Sequence, residues 1–185
     1  ARAFHTAVSG RPGPVVLSLP EDVLFGECSA PATKPYVKSE PSPARADLEK
    51  FARLLASAKS PLLMLGGPGW NAQAIEDAKA FAQNFDLPVC TSFRAKDRFD
   101  NTHRNYCGDV GIGADPKLIR RLKESDLLIV IGARLGEMTT DGYTRIPANQ
   151  TLIHVHPGAD ELNRVYQADL PVLSGVAPFL REAAA

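Results

Sequence analysis

Leu127-Leu128-Ile129-Val130-Ile131-Gly132-Ala133-Arg134 is the stretch that decides the fold. Five consecutive apolar residues describe a strand buried on both faces. Such strands belong to parallel sheets covered by helices. The Gly-Ala-Arg that follows stands where the chain leaves the strand's carboxyl end, the rim at which open α/β sheets bind ligands.

The same pattern repeats on either side. Pro61–Leu65 reads as a strand running into Gly66-Gly67-Pro68-Gly69, and Asn71 as the cap of a helix with Ala74, Ile75, Ala78, Phe81 and Ala82 inward. Pro88–Thr91 is a short strand, and a minor one is expected near Tyr106-Cys107. Asp115 and Pro116 start a helix that buries Leu118, Ile119 and Leu122. Thr151–Val155 and Leu170–Leu173 complete the strands, with a short helix expected over Ala159–Tyr166. Strands alternating with helices predict an open parallel α/β sheet of five or six strands with helices on both faces.

Upstream the pattern changes. Ala3, Phe4, Ala7 and Val8 make a short helical stripe ended by Gly10, and Val15–Leu19 reads as a strand stopped by Pro20. Residues 26–45 carry Pro31, Pro35, Pro41 and Pro43 and no apolar periodicity, as a linker does. Ser42 is the expected cap of the next helix, whose apolar face is Leu48, Phe51, Leu54 and Leu55. The expected organisation is residues 1–25 as the end of a preceding domain, 26–45 as linker and 46–185 as the principal unit.

Lys plus Arg and Asp plus Glu are equal at 21 each, so net charge is zero. That balance gives no support to nucleic-acid or anionic-membrane binding. No apolar run approaches the roughly 20 residues of a membrane span. The start, Ala1-Arg2-Ala3-Phe4-His5, is not a signal peptide, and a cytoplasmic location is expected. Cys28, Cys90 and Cys107 are widely spaced, without the pairing of a zinc site or a disulfide framework.

No catalytic constellation assembles from the sequence, and no metal set. The candidates are rim features, each with a plain structural alternative. Gly66-Gly67-Pro68-Gly69 suits a phosphate approaching a helix N-terminus, or simply a tight turn. Thr91-Ser92-Phe93-Arg94-Ala95-Lys96-Asp97 offers hydroxyls and cations, or is a solvated loop. Gly108-Asp109-Val110-Gly111-Ile112-Gly113 suggests close backbone passage, or an ordinary glycine-rich loop. Arg134 can clamp a diphosphate, or pair with Glu137, Asp141 or a carboxylate of another domain. His154 and His156 are expected to face opposite sides of their strand and to form no local metal pair.

In order, these pieces resemble the thiamine-diphosphate enzymes of the acetolactate synthase type. Positions 3–23 resemble the end of their pyrimidine-binding domain. Pro61–Gly69, Pro88–Ser92, Ser125–Arg134 and Ile153–Val155 resemble successive motifs of their Rossmann-like central domain. The resemblance implies the middle part of a three-domain enzyme that makes or breaks carbon–carbon bonds beside a carbonyl. Thiamine diphosphate and Mg²⁺ would be held by the pyrimidine-binding and diphosphate-binding domains. These two domains are the implied partners, within a homo-oligomer, and this chain alone is expected to be inactive. Some relatives bind FAD or ADP in the central domain, and the matching cofactor-binding positions are Gly66, Gly67, Thr91, Gly132, Ala133 and Arg134. Two departures argue against FAD. His156 stands where an acid is usual, and Leu135-Gly136-Glu137-Met138 replaces a pattern that carries a second arginine. The alternatives are a ligand-free structural module supporting dimerisation and a free-standing nucleotide-binding domain.

Overall fold

The computed structural model describes residues 1–32 and 34–184. Thr33, in the expected linker, and Ala185, the last residue of the expected principal unit, lie outside the described residues. In chain order the elements are α1 (Arg2–Val8), α2 (Glu21–Phe25), α3 (Arg45–Ser57), β1 (Pro61–Leu65), α4 (Ala72–Asn84), β2 (Val89–Thr91), a 3₁₀ turn (Lys96–Arg98), β3 (Tyr106–Asp109), α5 (Pro116–Glu124), β4 (Leu127–Ile131), α6 (Glu137–Thr140), β5 (Thr151–His156), β6 (Leu170–Leu173) and α7 (Val176–Ala183).

The six strands form one parallel sheet in the order β3-β2-β1-β4-β5-β6. The expected Rossmann-like parallel α/β sheet is therefore present, and the weak strand at Tyr106-Cys107 is its edge. β1 and β4 pair without interruption from Pro61↔Leu127 to Leu65↔Ile131. Strand order runs outward in opposite directions from this pair, so its carboxyl end is the topological switch point.

Side chains alternate across the sheet and fill two cores. Leu63, Leu65, Ile129, Ile131, Ile153 and Val155 face α3, α4 and α7, where Phe51 lies edge-on to Phe179 at 5.3 Å. Leu62, Met64, Leu128, Val130 and Leu152 face Leu118 and Leu122 of α5. Both sides of β4 are fully buried, as its unbroken apolar run requires.

Three local expectations need correction, and one helix was not foreseen. Val15–Leu19 is not a strand. It has no neighbour to complete a ladder, and Val16 and Leu17 are 89% and 66% exposed. Ala159–Tyr166 is a chain of turns rather than a helix, with Asn163 left-handed at φ +60 and its side chain accepting from Ala168 N–H. α3 begins at Arg45 with Ala44 at its cap position, so Ser42 does not cap it. The sequence reading also omitted α7. Pro178 there interrupts the apolar pattern, yet it sits in the first turn, where N–H groups have no helical partner to lose.

Buried polar groups tie the layers. Gln150 at the entry to β5 donates its amide to the carbonyls of Leu122 (2.7 Å) and Ser125 (2.8 Å) at the end of α5. Asp126 accepts from the N–H groups of Lys59 and Ser60, fixing the approach to β1. Replacing Gln150 with Leu keeps the volume but leaves the buried carbonyls without that donor. The expected loss is about 2 kcal/mol of unfolding free energy, read by urea denaturation of the chain.

Candidate functional site

The six sequence-predicted residues all lie at or just beyond the carboxyl ends of β1, β2 and β4. Gly66, Gly67, Gly132 and Ala133 are in mutual contact across the switch point. The Gly66 N–H reaches the Ile131 carbonyl at 3.1 Å, and the Gly132 N–H reaches that of Val155 at 2.8 Å. Both Gly67 (φ +70) and Gly132 (φ +75) are left-handed. A Cβ on Gly67 would stand 1.7 Å from the Gly132 carbonyl oxygen, and one on Gly132 would stand 2.5 Å from that of Gly66. These glycines let two chain segments close on each other.

Thr91 is fully buried, and its hydroxyl is 3.2 Å from the Tyr106 phenol across the β2–β3 pair. Ala133 is also buried, and its carbonyl accepts from His154 Nε2 at 2.9 Å. Arg134 leans away from the switch point. Its Nε donates to Glu161 Oε2 at 3.1 Å, and Arg164 Nη1 approaches the same oxygen at 3.8 Å. The arginine is thus paired with a carboxylate, as the structural alternative required, though with neither Glu137 nor Asp141.

His154 and His156 share one face of β5, because residues two apart on a strand always do. Their ring centroids are 6.0 Å apart, on the same side as Leu152, so the expectation of opposite faces fails. No group of three metal-ligating side chains assembles among the described residues. His156 is fully buried, and its Nδ1 accepts from Gly158 N–H at 3.1 Å. Its Nε2 is buried without a partner. Burial pushes both imidazoles below their ordinary value, and the Ala133 and Gly158 carbonyls near their ring nitrogens oppose it without overcoming it. His156 is therefore a neutral buried group and offers no exposed acceptor to a ribose.

The remaining loops make internal contacts of their own. Lys96 pairs with Asp109 at 2.9 Å, Arg94 lies over Phe93, and Phe93 covers Gly111. Sequence reasoning missed Arg145 and Glu161. Arg145 is 7% exposed and donates to the carbonyls of Gly111 and Thr139, pinning the glycine-rich loop to α6. Arg145 sits outside any periodic pattern, so nothing marked it. Glu161 did carry a signal, an acid three residues before Arg164, but nothing in the sequence sets it against Arg134.

The residues present do not fit a bound FAD or ADP diphosphate. Gly66 N–H is spent on the Ile131 carbonyl, the Gly67 turn abuts the Gly132 carbonyl, and Arg134 is already paired with Glu161.

A six-stranded parallel sheet in this order, with helices on both faces and its switch point between β1 and β4, defines a Rossmann-type domain. Benzoylformate decarboxylase from Polynucleobacter necessarius shares the fold, with a TM-score of 0.79 at 28% identity over 99% of this chain and 34% of that one. The family model for the thiamine pyrophosphate enzyme central domain matches residues 48–183, and the chain belongs to that family. It is 31% identical over 190 residues to acetolactate synthase of Mycobacterium bovis, covering 98% of this chain. It is 28% identical over 192 residues to the isozyme 3 large subunit of acetolactate synthase from Escherichia coli, again over 98% of this chain. The chain spans 30% and 33% of the lengths of those two relatives.

Two outcomes follow from the geometry. Gly67→Ala should cost about 1–3 kcal/mol more than Gly69→Ala. Both positions have positive φ, but only Gly67 abuts backbone, while a Cβ at Gly69 meets open space. Thermal or urea unfolding of the pair isolates the contact from the φ penalty.

The buried neutral histidines give a pH dependence of definite sign. Their folded pKa values lie below the unfolded value near 6.5, so the unfolded chain binds more protons as pH falls through that value. Their stabilisation is complete above about pH 6.5 and is lost below it. The urea midpoint should drop between pH 7.5 and 5.5, and drop less in H154Q/H156Q.

Proposed function

We propose that this chain is the central, non-catalytic unit of a larger thiamine-diphosphate-dependent enzyme acting on 2-keto acids or related carbonyl compounds, forming or cleaving a carbon–carbon bond. The observation that carries this reading is the extent of the family match. Residues 48–183, which hold the whole sheet, match the central domain of thiamine pyrophosphate enzymes. When bound elsewhere in such an enzyme, thiamine diphosphate with Mg²⁺ supplies the carbanion chemistry. The task of this chain is to hold the pyrimidine-binding and diphosphate-binding domains at a fixed spacing within a homo-oligomer. A cytoplasmic enzyme is the setting this reading implies.

Within the chain, residues 1–25 are the tail of the pyrimidine-binding domain, 26–45 the linker and 46–185 the central domain. The exposed apolar run Val15–Leu19 supports this division. Its unpaired backbone and side chains suit addition to a neighbouring sheet. The rim of Gly66, Gly67, Thr91, Gly132, Ala133 and Arg134 is the vestige of a nucleotide site of the ADP or FAD kind. Its closed glycine contact favours a ligand-free structural module.

Calorimetric titration of the chain with thiamine diphosphate and Mg²⁺ should show no binding, and pyruvate should not be consumed. Acetolactate or acetaldehyde formation by the 185-residue chain would overturn this reading.

A further inference from the structure

Glu161 stands out among the acids of this molecule. It is 6% exposed, although no helix or strand holds it and the turns around it lie at the surface. A buried carboxylate needs cations or donors close by. Arg134 supplies one at 3.1 Å and Arg164 a more distant one at 3.8 Å, and the side chains of both arginines remain about half exposed. An acceptor-only group is thus held against the guanidinium at the carboxyl end of β4, where a ligand oxyanion would otherwise be gripped.

We propose that Glu161 is a built-in counter-ion that takes the place of a ligand phosphate on Arg134, so that the rim refuses diphosphates because it is already filled from within. The inference rests on reading the rim as a former nucleotide site. The surroundings fit it. His154 and His156 lie in the field of Glu161 and are neutral, so they do not compete for its charge. Freed of Glu161, Arg134 and Arg164 would present two half-exposed guanidinium groups, each a planar set of donors that suits a phosphate oxyanion.

The probe is inorganic pyrophosphate, titrated calorimetrically into the full 185-residue chain. Wild type should show no saturable binding below about 1 mM. Glu161→Gln is nearly isosteric and removes the charge, and should bind pyrophosphate at least roughly tenfold tighter. Adding Arg134→Ala should abolish that gain, which separates this site from other surface cations. A folded Glu161→Gln chain with unchanged affinity would overturn the proposal. So would wild-type binding that is lost in Arg134→Ala. If Glu161→Gln does not fold, the Arg134 Nε–H resonance of wild type decides. It should be unmoved by millimolar pyrophosphate, and a saturable shift would refute the counter-ion role. None of these outcomes touches the catalytic inertness of the chain, which is read with thiamine diphosphate and pyruvate.

Discussion

Everything in this domain is referred to the pairing of β1 with β4. Five consecutive residues match from Pro61↔Leu127 to Leu65↔Ile131, and both strands are buried almost throughout. The pairing is closed at its carboxyl end by glycine against glycine, where the Gly67 Cα hydrogen faces the Gly132 carbonyl too closely for any larger group. A strand pair fixed this tightly sets the level of every other strand, because each of the four outer strands builds on it through a parallel ladder. It also fixes what the rim can do. At the switch point, the rim where such sheets bind ligands, the two glycine turns pack directly on each other.

The polar groups at that rim follow from the same closure. Side chains there are turned to one another: Thr91 to Tyr106, Arg134 to Glu161, His154 to the Ala133 carbonyl. Arg145 completes the set by drawing the loop after β3 onto the segment after β4. The result is a surface whose hydrogen-bonding capacity is largely spent internally. Polar groups hydrogen-bonded in this way hold one arrangement and resist alternatives.

The sheet was legible because its signal is redundant. The β4 run, the Pro61–Leu65 strand with its glycine turn and the Asn71 and Asp115 caps each point to the same alternation, and Asn71 and Asp115 do cap their helices through side-chain oxygens. The candidate rim was legible as a location, since its six positions gather at adjacent strand ends. Its internal partners were not. Glu161 and Arg134 are joined by tertiary geometry alone, and the turns over Ala159–Tyr166 have a composition that a helix shares. The histidine faces were misjudged although strand periodicity settles them. Val15–Leu19 has strand composition without a strand's neighbour, and composition cannot supply one.

The turn that leads into α7 is finished from far upstream. The Gly175 N–H donates to the Pro41 carbonyl at 2.8 Å, and Glu40 lies where any Cβ on Gly175 would have to go. Gly175 is also the cap position of that helix and has no side chain with which to cap it. The stretch that composition marks as mere tether is therefore a clasp, joining the way into the domain to its last helix. A pull on the tether is a pull on α7, and through Phe179 on the aromatic cluster with Phe51 and Phe81. Strain arriving along the tether would be delivered into the middle of the core rather than dissipated at its edge.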